Sequence, residues 1–273
     1  MGKQLTRLAL IGLTYLFLGV VIALPIGFVV VSAFAKGFQP FWAALSEPHA
    51  ISAFYLTSLA VVISLIVNTI FGLAVAWSLC KYPGRLKRIL LPLIEIPLAI
   101  SPVVSGMLFV MMLGSRSWAG GILAQWGISI IFTPVAIVIV TAFVTMPFMA
   151  REMVLLMQSQ GIEEEVAATL LGASGLKMFL KISIPNLMPA LLTGGILTIA
   201  RGVGEFGAVS VVSGHIRGLT ETAPLHIESM YNDYLFTEAY SIATVLLGVA
   251  IVSLIIRAWV HRRFPTISSG RIG

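Results

Sequence analysis

The chain has 273 residues, of which 58% are hydrophobic and only 10% are charged, and its mean hydropathy is +1.02. Soluble domains are about 45–50% apolar and about 25% charged, so this composition excludes a soluble enzyme, a disordered protein and a disulfide-stapled secreted domain. The formal net charge is +6, and the single cysteine, Cys80, excludes an intrachain disulfide and a cysteine-based metal site. Long apolar stretches instead indicate one all-α integral membrane domain over residues 1–273.

Six apolar segments, taken in chain order, are long enough for the roughly 20 helical residues that a membrane span requires. We predict spans at residues 8–35, 52–80, 89–113, 128–150, 186–212 and 239–260. Residues 118–127 instead suit an interfacial or re-entrant segment, because of Gly120, Gly121, Gln125 and Trp126. We expect bends in the third span at its prolines, Pro92, Pro97 and Pro102.

Basic residues fall unevenly between the loops, and this predicts the orientation. With the N-terminus inside, the outer loops hold only Lys36, Arg116 and Arg217. The inner segments then hold twelve basic residues: Lys3, Arg7, Lys81, Arg85, Lys87, Arg88, Arg151, Lys177, Lys181, Arg262, Arg263 and Arg271. Because an excess of Lys and Arg marks the cytoplasmic side, we predict that both termini are cytoplasmic.

The longest connection between predicted spans, residues 151–185, is amphiphilic and lies on the predicted cytoplasmic side. Its sequence predicts a short helix over 162–171 that begins with acidic residues, a glycine turn over 172–175, a second short helix over 176–182, and the start of the next span at Pro185. Such a hairpin is either a docking element for a partner or an idle interfacial segment. These residues alone favour neither.

This connection resembles the cytoplasmic signature of permease subunits of ATP-binding-cassette (ABC) importers: Glu-Ala-Ala, three residues, Gly, nine residues, Ile, one residue, Leu-Pro. The chain has Ala167, Ala168, Gly172, Ile182 and Pro185 at the same intervals, but Val166 replaces the Glu and Ile184 replaces the Leu. The resemblance implies a type I ABC importer permease fold with six transmembrane helices and cytoplasmic coupling helices. It also implies that a separate ATPase is contacted by Glu164, Glu165, Ala167, Ala168, Gly172, Ile182 and Pro185.

A second region narrows the resemblance. Residues 201–218 resemble the W-type membrane subunits of bacterial sulfate/thiosulfate importers, as do residues 145–152, 222–226 and 231–234. This implies a multi-pass protein of the bacterial inner membrane that moves sulfate or thiosulfate. The implied partners are an ABC ATPase dimer, a T-type permease, an external sulfate-binding protein and membrane lipid, with no nucleic acid. The partner ATPase would use ATP and Mg²⁺, and this chain would bind no cofactor.

For four polar side chains the sequence leaves two interpretations open. Arg201 and Glu205 lie four positions apart in the predicted fifth span, so we expect them to share a helix face. Ionisable residues inside a membrane are costly and face a bundle interior or a water-filled cavity. The two residues are therefore either a structural pair or part of an anion path. His215 and Arg217 belong either to an ordinary outer loop or to an outer mouth that contacts the binding protein or the anion.

The chain lacks a glycine-rich phosphate loop followed by Lys-Ser or Lys-Thr, so we expect a non-catalytic subunit without catalytic or metal-ligating residues. A homodimeric molybdate or tungstate permease and a secondary anion carrier remain as alternatives to the sulfate permease. Secondary carriers commonly contain internal repeats, and the two halves here show no convincing one. An intramembrane serine hydrolase is a weaker alternative, since Ser213 and His215 are neighbours only in sequence.

Overall fold

The computed structural model describes residues 2–81, 85–161 and 163–264, so the predicted positions Ile162 and Arg271 lie outside it. Every regular element in these ranges is helical, and the described residues contain no strand, as the predicted all-α class requires. The first four helices are α1 (Gly2–Leu18), α2 (Leu24–Ala33), α3 (Phe38–Ser46) and α4 (Pro48–Lys81). The next four are α5 (Arg85–Ala99), α6 (Pro102–Leu113), α7 (Trp118–Gln125) and α8 (Pro134–Gln160).

The remaining helices of the described chain follow a short connection after α8. They are α9 (Glu163–Leu170), α10 (Gly175–Met178), α11 (Ile184–Val203), α12 (Gly207–Ser213), α13 (Ala223–Asn232) and α14 (Phe236–Arg263). Five helical stretches are long and apolar enough to cross a membrane, and α5 with α6 makes a sixth if that bent pair is one span. The six predicted spans are therefore present if the bent pair counts as one span, and five are present if it does not.

The first apolar stretch is a single long helix in which a π-helical turn, Gly19–Ala23, joins α1 to α2. It covers Thr6–Ala33, yet only 6% of its most apolar window is buried against the rest of the chain. Phe28 packs edge-on against Tyr240 of α14, with ring centroids 5.8 Å apart. The surroundings of the chain, rather than its own core, therefore cover most of this helix.

The predicted third span is sharply bent. The helix direction bends by 106° between α5 and α6, with the break at Ile100 and Ser101. Ser101 is extended, with φ −57° and ψ 136°. The α conformation is unfavourable for a residue that precedes a proline, because the Pro102 ring would clash with it. The expected bend is confirmed at Pro102, where the residue before the proline explains its position, whereas Pro92 and Pro97 lie inside α5 without a break in the helix.

Helix α8 lies at the centre of the molecule. It packs against α4, α11, α12 and α5, and it continues to Gln160, ten residues beyond the predicted end of the fourth span. Two glycines allow the closest approaches: a Cβ added to Gly72 or Gly194 would lie about 3 Å from Met149 atoms. These contacts bring α4 and α11 directly against α8 and form the apolar core around Met149 and Met153.

Helix α11 differs from its predicted form at both ends. The separate short helix predicted over 176–182 is wrong, because α10, a π-helical turn at Phe179–Ser183 and α11 form one continuous helix, Gly175–Val203. The N–H of Ile184 donates to the carbonyl of Phe179. In a π turn the N–H bonds to the carbonyl five residues earlier instead of four. This shift lets the helix continue past Pro185, which would disrupt an ordinary α-helical turn. At the other end the helix stops at Val203, before the predicted limit of 212.

Candidate functional site

The hairpin formed by α9 and α10 ends in an exposed apolar tip. Gly172 has φ +80° and makes the turn, as expected from a glycine at that position. The turn is closed by hydrogen bonds from the Gly172 N–H to the Thr169 carbonyl and from the Ala173 N–H to the Ala168 carbonyl, each 3.0 Å. This is the pattern by which helices end on a left-handed glycine.

Three leucines at this tip were missed by the sequence reasoning. Leu170, Leu171 and Leu176 are 84%, 88% and 69% exposed. Exposed apolar side chains clustered on a short hairpin are typical of a protein contact surface. The sequence did contain a signal for this surface: two adjacent leucines stand immediately before the turn glycine. A hairpin this short has no core that could bury them both.

The predicted ATPase-contact residues divide into two groups. Ala167 and Gly172 are exposed beside the leucines, whereas Ala168 is buried. The two glutamates point back toward the start of α11. Ser183 Oγ donates to Glu165 Oε1 at 2.8 Å, and Asn186 Nδ2 donates to Glu164 Oε2.

These glutamates connect α9 to the long helix, and a third bond connects the end of α8 to the same helix. The amide of Gln160, at the end of α8, donates to the Asn186 carbonyl at 2.8 Å. A cavity of about 260 Å³ lies between the three helices and is lined by these polar groups. Ile182 is half-buried and Pro185 is exposed at the base of the same helix. Helix α9 is therefore held to the start of α11 by side-chain hydrogen bonds, while α10 continues directly into α11.

A second site lies where α11 ends. Arg201 Nη1 and Glu205 Oε2 are 2.6 Å apart, so the predicted pair forms. Glu205 is not on the α11 helix, however, because it follows the break after Val203. Its side chain is buried, while that of Arg201 is 32% exposed. Glu205 Oε1 also accepts a hydrogen bond of 2.9 Å from the Ala208 N–H, in the first turn of α12.

The two breaks of the chain are neighbours. Helix α6 packs closely on α12: a Cβ at Gly106 would lie 2.6 Å from the Ala208 carbonyl oxygen, and one at Gly207 would lie 3.1 Å from the Pro102 Cβ. The break between α5 and α6 therefore lies against the break between α11 and α12. Broken helices that meet in this way are a recurring feature of membrane transport sites.

The residues predicted for an outer mouth are engaged with the protein itself. His215 adopts a left-handed φ of +54°, and its Nε2 lies 3.1 Å from the Ser210 carbonyl. Arg217 Nη2 donates to Asp233 Oδ2 at 2.5 Å. This bond to Asp233 raises the pKa of Arg217 above its ordinary value, so its charge is permanent and locally neutralised.

A buried polar cluster near the same segment was not predicted. Glu221 and His226 are both almost fully buried, with His226 Nδ1 2.9 Å from Glu221 Oε2. Ser229 Oγ donates to Glu221 Oε1, and Glu47 lies 3.7 Å from His226 Nε2. Burial alone would raise the pKa of Glu221, but the hydrogen bonds with His226 and Ser229 outweigh it and lower the pKa. The only sequence signal was the five-residue interval between the acid and the histidine.

Comparison with known proteins agrees with this architecture. Residues 68–265 match the model of the family described as "Binding-protein-dependent transport system inner membrane component". The chain is 41% identical over 264 residues to the sulfate transport system permease protein CysW of Synechococcus elongatus, covering 96% of this chain and 92% of that protein. It is 42% identical over 256 residues to CysW of Escherichia coli K12, covering 93% and 87%.

More distant similarity extends to a second permease type and to solved structures. The sulfate transport system permease protein CysT of Salmonella typhimurium is 32% identical over 246 residues, covering 89% of this chain and 88% of that protein. The crystal structure of a bacterial alginate ABC transporter, in complex with an alginate pentasaccharide-bound periplasmic protein, has a TM-score of 0.74 at 16% identity. It covers 98% of this chain and 96% of that one, and it shows a shared fold. The chain belongs to the binding-protein-dependent transport system inner membrane components, the multi-pass permease subunits of ABC transporters.

Proposed function

We propose that this chain is the W-type permease subunit of an ATP-driven importer for sulfate and thiosulfate. The observation that carries the proposal is the 41–42% identity to CysW sulfate permeases over 93–96% of the chain. The chain itself is non-catalytic, because it lacks a phosphate-binding loop. ATP and Mg²⁺ are used by the partner ATPase, and no cofactor is bound here.

The α9–α10 hairpin would connect the permease to that ATPase. Its exposed tip, Leu170, Leu171 and Leu176 with Ala167 and Gly172 beside them, offers an apolar surface for a cleft on the ATPase. The hydrogen bonds of the two hairpin glutamates to the start of α11 would transmit movement of the tip to that helix. Because α10 and α11 form one continuous helix, the movement would reach the break beside Arg201.

Arg201 would serve two purposes at the break. Its bond to Glu205 holds the end of α11 to the start of α12. Its partly exposed guanidinium keeps N–H donors available to an anion passing along the permease. An arginine already paired with a carboxylate attracts sulfate only weakly, and weak binding suits passage better than a tight trap would.

The chain would work as one half of a heteromeric pore in the bacterial inner membrane, with both termini cytoplasmic. The second half is a T-type permease, and an external sulfate-binding protein would dock on the outer loops, including His215 and Arg217. Similarity to both CysW and CysT proteins supports two related but distinct permeases. The strongly basic inner segments support the orientation.

The first test is co-purification of the tagged chain from native membranes, followed by uptake of radiolabelled sulfate into vesicles. We expect an ABC ATPase and a second permease of six spans to accompany the chain. Uptake should require ATP and the binding protein, and excess thiosulfate should compete. Recovery of an ATPase without a second permease would contradict the heteromeric pore. ATP-dependent uptake of molybdate but not sulfate would contradict the substrate.

A further inference from the structure

We infer that an open pocket at the α6–α7 corner binds a tetrahedral oxyanion. The pocket has a volume of about 430 Å³ and lies between the end of α6, the start of α7 and the segment before α8. Small-molecule sites occupy roughly 300–1,000 Å³. This corner is distinct from the α9–α10 hairpin and from the Arg201–Glu205 break.

The charge of the pocket is entirely positive. Arg116 is the one ionisable residue on its lining, and no Asp or Glu lies there. The guanidinium is exposed and forms no ion pair with any residue in the described ranges. This differs from Arg217, whose charge is neutralised by Asp233. An unpaired arginine presents a fork of N–H donors suited to two oxygens of one anion.

Hydroxyl groups add neutral donors around Arg116. Ser115 and Ser129 line the pocket, and within the described chain their hydroxyls make no hydrogen bond. Ser117 differs, because its Oγ donates to the Met112 carbonyl at 2.5 Å and accepts from the Gly120 N–H at 2.9 Å. Ser117 thereby caps α7, so the positive end of that helix also lies at the pocket wall.

One wall of the pocket is held in a strained conformation. Phe132 has a φ of +65°, which is rare for a residue with a side chain. Its N–H donates to the Val212 carbonyl at 2.9 Å, and a Cβ at Gly214 would lie 2.9 Å from its ring. Strained residues held in place by neighbours cluster at ligand sites. The end of α12 thus fixes this wall from outside the pocket.

Two sources could supply the oxyanion. One is transported sulfate at the outer opening, and for this source the inference rests on the proposed function. The other is a phospholipid headgroup, because Trp118 at the start of α7 and Trp126 just after its end are 86% and 80% exposed, as in the aromatic belt of a membrane interface. Both present a tetrahedral centre with anionic oxygens, so the same donors would bind either.

Protection from an arginine reagent tests the pocket without measuring transport. The intact importer, purified in detergent with its partner subunits, is treated with phenylglyoxal, and modification of Arg116 is followed by peptide mass spectrometry. Arg262, exposed at the end of α14, is the internal reference. The added probes are sodium sulfate, dihexanoyl phosphatidylglycerol, and sodium chloride at equal ionic strength.

We expect sulfate, the phospholipid or both to slow modification of Arg116 about tenfold, with Arg262 unaffected. A Ser115→Ala/Ser129→Ala variant should need about a hundredfold more probe for the same protection, since each lost hydroxyl removes a hydrogen bond to a charged group and each such bond corresponds to about tenfold in affinity. Protection by sulfate alone assigns the pocket to the transported anion, and protection by the phospholipid alone assigns it to a lipid headgroup.

The inference would be overturned if none of the three probes slowed the modification of Arg116. It would also be overturned if sodium chloride slowed it as much as sulfate or the phospholipid does. Unchanged protection in the double serine variant would overturn it as well. A protected Arg116 in an importer that takes up no sulfate would contradict the proposed function while leaving the pocket intact. The two failures are therefore distinguishable.

Discussion

At the residue scale, variants of Arg201 and Glu205 can distinguish a role of this pair in stability from a role in transport. Glu205 is buried, so loss of either partner leaves an uncompensated polar group at the break. We expect Arg201→Gln and Glu205→Gln each to lower the free energy of unfolding, and the double variant to lose less than their sum, by about 1–3 kcal/mol. Thermal denaturation of the four proteins in detergent measures this coupling.

Sulfate uptake by the same variants shows whether Arg201 also serves the anion. If its exposed donors contribute to the path, the double variant recovers stability but uptake remains low. If the pair only fixes packing, stability and uptake recover together. Full uptake by Arg201→Gln with normal assembly would remove Arg201 from the path.

The buried Glu221–His226 cluster makes stability depend on pH. The pKa of Glu221 in the folded protein lies below its ordinary value of 4.5. Its ionised form therefore stabilises the fold above that value, and this contribution disappears as the pH falls through the folded-state pKa. We expect the wild-type protein to lose thermal stability on acidification below about pH 4.5 more steeply than Glu221→Gln does. Parallel curves would exclude this role for Glu221.

At the element scale, the bonds between the α9–α10 hairpin and α11 predict uncoupling. Asn186→Ala removes the partner of Glu164, and Ser183→Ala removes the partner of Glu165. We expect the double variant to keep ATP hydrolysis in the complex while sulfate uptake falls about tenfold, because two hydrogen bonds to charged groups are lost. The matched control is Ser174→Ala, an exposed serine at the turn. A proportional loss of hydrolysis and uptake would contradict the idea.

The turn at Gly172 offers a second test of the same element. A Cβ at this position meets nothing within 4 Å, so only the φ of +80° opposes a side chain. We expect Gly172→Val to impair uptake far more than Gly172→Asn, since asparagine tolerates the left-handed region and a β-branched residue does not. Uptake by complexes with equal ATPase content measures the difference. Equal effects of the two substitutions would show that size, not backbone strain, matters.

A structural feature could be predicted from the sequence when the residues that cause it are close together in the chain. The apolar spans and the glycine turn depend on neighbouring residues, and both were predicted. The Arg201–Glu205 contact was one of two open alternatives, and it forms across the break after Val203 rather than along one helix face. The continuity of α10 with α11 depends on a π-helical turn at Phe179–Ser183, and no residue pattern in the sequence predicted that turn. The hydrogen bonds of Glu164 and Glu165 to α11, and the contact of α6 with α12, join distant segments and so required the structure.

At the scale of the whole molecule, the predicted orientation can be measured with single cysteines. In a Cys80→Ser background that retains uptake, Lys36→Cys and Ser174→Cys place thiols at exposed positions on opposite sides of the predicted membrane. We expect a membrane-impermeant maleimide to label Lys36→Cys in intact spheroplasts and Ser174→Cys only in inverted vesicles. Labelling in the opposite pattern would place the termini outside.

The bend between α5 and α6 has a consequence for how the cell handles this subunit before assembly. The break inside this predicted span interrupts the helical ladder: the Ile100 N–H donates to the Ile96 carbonyl and the Ser101 carbonyl accepts from the Ser105 N–H, but the Ile100 carbonyl and the Ser101 N–H have no backbone partner among the described residues. Only protein or trapped water can satisfy them there. A protomer made without its partners should therefore be a short-lived substrate for membrane proteases, and balanced synthesis of the two permeases would determine how much transporter accumulates.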